Sequence, residues 1–293
     1  MSFLDHIHRC NTHDLSAFTP WFVGSMQAGW VHRDTVPSLR ARPQLFHRRG
    51  KVWRLSEELA SPAERTAEME RFLLELRDRG LLPAWRGERY PVTPRLDVPA
   101  LLDMERGAVA LFGVRAFGVH LTGYVERSDG LHIWVPRRAG TKATYPGMLD
   151  NTVAGGQPSG ISVRDNMIKE CGEEAGIPPH IARRAISTGF ISYVHQIGAE
   201  LKPDVEYCFD LALPADFVPH PHDGEAESFE LWPVRRVFET VRDSAEFKDN
   251  CNLVLIDFFV RHGLIAPDDT DYFEIAAGLR SQPLPPTSVD RRA

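Results

Sequence analysis

Apolar positions follow two different patterns in the first hundred residues, and each pattern predicts its own element. Residues 45–55 carry apolar letters at both ends and a glycine between them, which is typical of a hairpin. From Ser61 onward apolar residues recur at helical spacing, which predicts a helix. Ser61 and Glu64 match the S-x-x-E capping box that marks a helix start. Prolines then interrupt residues 85–99, which we interpret as an extended crossing between two domains.

Beyond residue 100, short β-rich runs and helical stretches follow one another without the regular alternation of a doubly wound sheet. The strand-like runs are residues 119–125, 131–135, 190–194 and 206–213, and the helical patterns lie within residues 163–175 and 233–262. This order predicts the α/β (α+β) class, with a mixed sheet covered by helices. We assign residues 101–280 to this domain, residues 1–100 to a smaller α+β accessory domain, and the proline-rich residues 281–293 to a flexible tail.

Charge and hydropathy indicate which classes of binding partner to expect. The 293 residues include 40 acidic and 34 basic side chains, a formal net charge of −6. A mildly acidic chain disfavours binding to a nucleic-acid polymer, because phosphate neutralisation needs a basic surface. No apolar run approaches the roughly 18 residues of a membrane span, so we expect no membrane partner. Composition does not address the oligomeric state, and a homodimer stays open.

The cysteines indicate a reducing environment. Cys10, Cys171, Cys208 and Cys251 are far apart and form no C-x-x-C pair, which argues against a disulfide framework and an all-cysteine zinc site. The first residues also lack a basic segment followed by an apolar one, the pattern of a secretion signal. We therefore expect a cytoplasmic protein.

The most informative chemistry lies on the helix predicted over residues 163–175. At 100° per residue, Glu170, Glu173 and Glu174 share one face within a window of about 100°. Carboxylates at this spacing repel one another unless a cation neutralises them. Mg²⁺ and Mn²⁺ prefer oxygen ligands of this kind, so the pattern favours a divalent-metal site. The alternative is a solvated acidic helix face.

A glycine-rich loop precedes this helix and strengthens the metal-site interpretation. Gly155, Gly156 and Gly160 allow the backbone to approach an ion or a phosphate closely. Lys169 lies one turn before Glu173 and is placed to orient it.

Together the glycines, the lysine and the glutamates resemble the Nudix box, whose pattern is G-x5-E-x7-R-E-U-x-E-E-x-G-U with U aliphatic. The matching residues are Gly155, Gly156, Lys169, Glu170, Glu173, Glu174, Gly176 and Ile177. The resemblance implies an α/β/α sandwich and a metal-dependent hydrolase that cleaves a diphosphate linked to another moiety. It also implies that Glu170, Glu173, Glu174 and the Gly155 carbonyl bind Mg²⁺ or Mn²⁺. Glu170 and Glu174 are both candidates for the catalytic base.

The match to the box has two departures. Counted back from Gly176, the position of the first glutamate is occupied by Ile161, and an alignment on the glycines leaves the loop one residue short. Lys169 replaces the usual arginine, which keeps the charge but loses a fork-shaped donor. A non-catalytic Nudix-fold ligand sensor is therefore an alternative.

A wider resemblance points to a substrate. Residues 111–124, 134–138 and 141–151 resemble one Nudix subfamily, which has an extra amino-terminal domain and includes the segment fused to thiamine pyrophosphokinase. This resemblance implies hydrolysis of thiamine diphosphate or its oxidised analogues to the monophosphate and phosphate. Oxidised (8-oxo-guanine) nucleoside di- and triphosphates are the alternative substrates.

Two further groups of charged residues complete the predicted site. Arg137, Arg138 and Lys142 follow a strand beside the proposed site and are candidates for binding substrate phosphates. Glu225 and Glu227 precede a later strand, a place from which the resemblance implies another metal ligand. For all five side chains the alternative is ordinary solvated surface.

Overall fold

A computed structural model describes residues 1–82, 84–142 and 144–280. The strands are β1 (Phe18–Val23), β2 (Met26–His32), β3 (Phe46–Arg49), β4 (Val52–Leu55), β5 (Arg89–Val92), β6 (Leu102–Glu105), β7 (Phe117–Arg127), β8 (Gly130–Arg138), β9 (Val153–Gly156), β10 (Ile186–Ile197), β11 (Glu200–Ala212) and β12 (Ala226–Pro233). The helices are α1 (Phe3–Cys10), α2 (Val36–Arg40), α3 (Pro62–Asp78), α4 (Val163–Ala175), α5 (Pro179–Ala182), α6 (Val234–Asp243), α7 (Asp249–Arg261) and α8 (Tyr272–Gly278). The tail predicted at residues 281–293 lies outside the described residues.

The amino-terminal part is built on a four-stranded sheet in the order β2-β1-β4-β3. The predicted hairpin around Gly50 is confirmed as β3 and β4, which pair antiparallel. The predicted helix is α3, and its capping box is formed, since Ser61 Oγ accepts from the Glu64 N–H and the Glu64 carboxylate accepts from the Ser61 N–H. The apolar face of α3, including Phe72, packs with Trp21 and Trp53 of the sheet in one buried core.

The larger part is built on a mixed sheet in the order β10-β11-β7-β8-β12. β7 pairs parallel with β11 and antiparallel with β8, while β9 pairs antiparallel with the first half of β7. Apolar side chains of α4 and α5 cover one face, and those of α1, α6, α7 and α8 cover the other. This arrangement confirms the α/β (α+β) class with a mixed sheet between helices.

Two sets of contacts join residues 1–100 to the larger part of the chain. Phe3 and Ile7 of α1 pack in the same core as Phe259 of α7 and Leu279. β5 pairs antiparallel with β6, so the segment that we interpreted as a crossing forms a two-stranded sheet across residue 100. The division at residue 100 stays a prediction. Within the described residues, no helix has the length and apolarity needed to cross a membrane.

Candidate active site

Helix α4 holds the predicted carboxylates, and local sequence explains where it starts and ends. Ser162 Oγ accepts from the Asp165 N–H at 3.0 Å and caps the start. Gly176 ends the helix in the left-handed conformation at φ +62°. Met167 and Cys171 are fully buried against the sheet. This packing sets the rotation of α4 and brings Glu170 and Glu174 to β9.

Glu170 lies directly over the glycine-rich strand. A Cβ added to Gly155 would overlap the carboxyl group of Glu170, so glycine is required for this close approach. The Glu170 side chain is only 13% exposed. Burial raises the pKa of Glu170, although Lys169 opposes the shift, because a charged carboxylate loses solvation there.

Glu174 is the more deeply placed carboxylate. Its Oε2 accepts from the Ala154 N–H of β9 at 2.9 Å. Burial raises its pKa well above the usual range, and the negative charges of Asp150, Glu170 and Glu225 act in the same direction. In the part of the chain that the structure describes, no lysine or arginine forms an ion pair with Glu174. A buried carboxylate without a counter-charge favours either a proton or a metal cation.

Glu173 and Lys169 lie at the outer end of the same helix face. Lys169 Nζ lies 2.7 Å from Glu173 Oε2 and 3.1 Å from Glu170 Oε1. Glu173 is half exposed, and Lys169 forms ion pairs with both Glu173 and Glu170. The expected orienting role of Lys169 fits this geometry, whereas Glu173 as a ligand stays a prediction.

Glu174 shares a cleft with residues from three other segments. The cleft is lined by Pro136, Arg138, Asp150, Asn151, Thr152, Glu174, Glu225, Ala226 and Phe229. Glu225 pairs with Lys142, with Nζ 2.8 Å from Oε1. Glu227 is exposed and sits where the pairing of β12 with β8 shifts register, outside the cleft lining. Of the two later acidic candidates, Glu225 is therefore the one that the fold brings to Glu174.

The three predicted phosphate-binding cations already have protein partners. Arg138 Nη1 lies 2.6 Å from Asp150 Oδ2, and the Arg138 side chain is 12% exposed. Arg137 donates to the carbonyl of Gly147 at 2.8 Å. With Lys142 paired to Glu225, contact with a substrate phosphate would require these groups to share or exchange partners.

Behind the cleft lies a buried polar layer that sequence reasoning missed. Asp150 accepts from Cys251 Sγ at 2.7 Å, and Lys248 Nζ lies 3.7 Å from the same carboxylate. His120 Nδ1 lies 2.7 Å from Asn151 Oδ1. The sequence did contain a signal for this layer, namely polar residues inside otherwise apolar strands. Such residues indicate buried hydrogen bonds, because a buried polar group needs a partner. That signal identifies His120 but does not identify its partner.

The chemistry of the donors suits a hard divalent cation. Glu170 and Glu174 of α4 place their carboxylate oxygens against β9, and the Gly155 carbonyl belongs to β9. Among the described residues, no three histidine, cysteine, aspartate or glutamate side chains form a group that could hold a metal ion. Glu170 and Glu174 are the two partly buried side chains that would face the ion, and the remaining ligands would come from backbone, water or substrate.

A mixed sheet between helices, with a glycine-rich strand facing a carboxylate helix, defines a hydrolase of the Nudix type. Two relatives from Arabidopsis thaliana carry that name. Nudix hydrolase 20, chloroplastic, is 40% identical over 291 residues, covering 96% of this chain and 78% of the relative. Nudix hydrolase 24, chloroplastic, is 41% identical over 283 residues, covering 95% and 78%. The chain belongs to the Nudix hydrolase family and is an enzyme acting on phosphoanhydride bonds, as the resemblance predicted.

Two further matches each cover part of the chain. The family model described as a domain of unknown function (DUF4743) matches residues 2–116. A solved structure from Deinococcus radiodurans matches 57% of this chain and 97% of its own length, at 21% identity and a TM-score of 0.42. Nudix hydrolases generally use divalent metals.

The expected cytoplasmic location is wrong. Both Arabidopsis thaliana relatives are named chloroplastic, which contradicts it. The physical reason for the error is that separated cysteines indicate a reducing environment only, and cysteine spacing does not distinguish one reducing compartment from another.

Proposed function

We propose that this hydrolase cleaves thiamine diphosphate or an oxidised analogue to the monophosphate and phosphate, with Mg²⁺ or Mn²⁺. The supporting observation is that two motifs meet in one cleft. Asp150 and Asn151 belong to the segment that resembles the thiamine-related subfamily, and they line the cleft together with Glu174 of the Nudix-like helix. The substrate motif and the carboxylate that would carry the chemistry are therefore neighbours.

Glu170, Glu174 and the Gly155 carbonyl are the groups that would hold the metal, while Glu225, paired with Lys142, lines the same cleft as Glu174. A divalent cation bound there neutralises diphosphate oxygens and lowers the pKa of an attacking water. The protein fixes its own donors in advance, since the Ala154 N–H holds one oxygen of Glu174. Preorganised donors of this kind stabilise the developing charge without reorganisation.

The remaining charged residues hold the ligands and the cleft in place. Lys169 restrains Glu170, and the Arg138–Asp150 pair fixes the wall of the cleft opposite α4. Glu170 and Glu174 are both candidates for the base that accepts a proton from the attacking water, and burial raises the pKa of each. In the proposed reaction a glutamate removes a proton from water, and the water oxygen bonds to a phosphorus of the diphosphate. The bond from that phosphorus to the bridging oxygen breaks, which releases the monophosphate and phosphate.

Phosphate release distinguishes the substrates. Oxothiamine diphosphate, thiamine diphosphate and 8-oxo-guanine nucleoside diphosphate are each incubated with the enzyme in Mg²⁺, in Mn²⁺ and in EDTA. We expect release from a thiamine substrate in either metal, none in EDTA, and none from thiamine monophosphate, which lacks a phosphoanhydride. Release from the guanine nucleotide alone would overturn the thiamine proposal and support the alternative substrate.

A further inference from the structure

The amino-terminal part of the chain reaches the active-site loop through β5 and β6. Ser159, in the loop before α4, donates its hydroxyl to Asp103 Oδ1 at 2.6 Å and its N–H to the Arg89 carbonyl at 2.9 Å. Tyr90 packs so closely on Gly156 that a Cβ added to Gly156 would overlap the tyrosine hydroxyl. The glycine-rich loop is therefore held between α4 and the β5–β6 sheet.

A cation lies at this junction. The guanidinium of Arg106 lies over the Tyr90 ring, 5.5 Å from its centroid. Arg106 Nη1 also lies 2.9 Å from Glu88 Oε2, and the arginine side chain remains 49% exposed. An arginine has five N–H donors in a planar fork, so one carboxylate contact leaves others for a second anion.

Contacts connect Arg106 to the proposed metal ligands through Tyr90, whose hydroxyl lies against Gly156, the neighbour of Gly155 beneath Glu170. Burial lowers the pKa of Arg106, while Tyr90, Glu88 and Glu225 raise it to a net increase. Burial raises the pKa of Tyr90, and among the charges that act on it are those of Arg106 and Glu170. Arg106 therefore stays protonated, and one of the charges that act on it, Glu225, lines the cleft.

We propose that Arg106 binds the diphosphate of the substrate. Tyr90 is a positioning residue, because its ring contacts the guanidinium and places it beside the glycine-rich loop. Bidentate contact between a guanidinium and phosphate oxygens is the strongest pairing available to an arginine. The proposal rests on diphosphate hydrolysis at the α4–β9 site. It assigns the segment matched by the DUF4743 model, residues 2–116, a direct part in substrate binding, beyond support of the fold.

Arg77 offers a matched control away from the loop. Its guanidinium lies over the Trp85 ring, 5.2 Å from the centroid, and its Nη2 lies 3.0 Å from Asp78 Oδ1. Its side chain is 45% exposed, nearly the same as Arg106. Arg77→Gln thus removes an equivalent cation–π contact and surface ion pair at the end of α3.

The test measures binding of inorganic pyrophosphate in Mg²⁺ by calorimetry, alongside KM and kcat for thiamine diphosphate. Arg106→Gln should weaken pyrophosphate binding and raise KM by about tenfold or more, while Arg106→Lys restores part of the loss. Arg77→Gln should change either value by no more than about twofold, as expected for a surface pair. Equal effects of the two glutamine variants, or an Arg106→Gln enzyme like wild type, would overturn the proposal.

The Tyr90 variants test positioning separately. Tyr90→Phe keeps the ring beneath Arg106 and should retain the wild-type KM, whereas Tyr90→Leu removes the ring and should raise KM. Melting temperatures identify any loss that comes from unfolding. If wild type binds pyrophosphate but hydrolyses no thiamine substrate, the proposed substrate fails and the Arg106 proposal stands. If wild type does not bind pyrophosphate, the Arg106 proposal is wrong.

Discussion

At the residue scale, the two carboxylates of α4 that face β9 differ from an ordinary acidic helix surface. Glu170 and Glu174 are partly buried, their pKa values are raised, and glycine at position 155 makes room for Glu170. Glu173, one turn away on the same face, is half exposed and paired to Lys169. Helical periodicity placed all three on one side, but only packing against β9 separated the buried pair from the exposed one.

Glu174→Gln tests the role of the buried carboxylate. We expect turnover to fall on the order of 10²–10⁴-fold, because the amide neither binds a metal ion as an anion nor accepts a proton. The melting temperature in EDTA should be unchanged or higher, because glutamine keeps an acceptor for the Ala154 N–H and removes a buried charge. Phosphate release and thermal unfolding are measured side by side.

Glu239→Gln is the control for that substitution. Glu239 lies on α6 and pairs with Arg235 at the surface, so its loss should leave turnover unchanged. Near-normal turnover in Glu174→Gln would contradict the proposed site.

Gly156→Ala tests the close approach of Tyr90 to the loop. An added methyl group would overlap the tyrosine hydroxyl, and we expect a loss of about 1–3 kcal/mol in the free energy of unfolding. Gly140→Ala is the control, because a Cβ there meets no atom within 4 Å. Urea unfolding of both variants gives the comparison, and equal stabilities would show that the junction is loose.

At the element scale, α4 is a short helix whose rotation determines the site. Its first turn is held by Ser162, its end by Gly176, and its inner stripe by Met167 and Cys171. These features were visible in the sequence, because caps and apolar periodicity are local properties. The strand opposite, β9, was visible only as a glycine-rich loop, since a strand of four residues depends on pairing with β7.

A matched pair of cap substitutions separates stability from function. Ser162→Ala and Ser61→Ala each remove a serine that accepts from the N–H three residues later, so each should cost about 1 kcal/mol of unfolding free energy. Only Ser162→Ala should also weaken activation by Mn²⁺, because α4 carries the carboxylates and α3 does not. Activity titrated with Mn²⁺ at matched fractions of folded protein decides between these expectations. A similar Mn²⁺ response in both variants would show that the α4 cap does not govern the site.

At the scale of the whole molecule, the mixed sheet holds polar groups as well as apolar ones. Tyr193 Oη lies 3.2 Å from Asp204 Oδ2 and 3.1 Å from Glu206 Oε1, which joins β10 to β11. Burial, together with the Glu206 charge, raises the pKa of Asp204 to about 7. The folded protein therefore binds this proton more tightly than the unfolded chain does.

This shift predicts a pH dependence of stability. The Asp204 contribution is most favourable below its ordinary pKa of 3.8, decreases as the pH rises from there, and is fully unfavourable above about 7. Asp204→Asn should therefore raise the melting temperature at pH 8 and change it much less at pH 4. Thermal unfolding across that range, with wild type as reference, tests the sign. A benefit confined to acid pH would contradict it.

Much of the fold and part of the site could be predicted from the sequence. The class, α3 with its capping box, the hairpin around Gly50 and the carboxylate face of α4 all arise from neighbours along the chain. The Arg138–Asp150 pair and the contact of Tyr90 with Gly156 could not be predicted. These contacts join separate segments, and composition or periodicity does not specify which segments meet.

By itself, then, the sequence determined the local structure and the kind of chemistry. Caps, glycines and apolar spacing act through bonds and hydrogen bonds within a few residues, and carboxylates at helical spacing indicate a cation site before any fold is known. Tertiary structure decided which carboxylates are buried, which cations are already paired, and that Tyr90 and Arg106 stand beside the loop. Desolvation and pairing depend on every segment packed around a group, and only the folded chain brings those segments together.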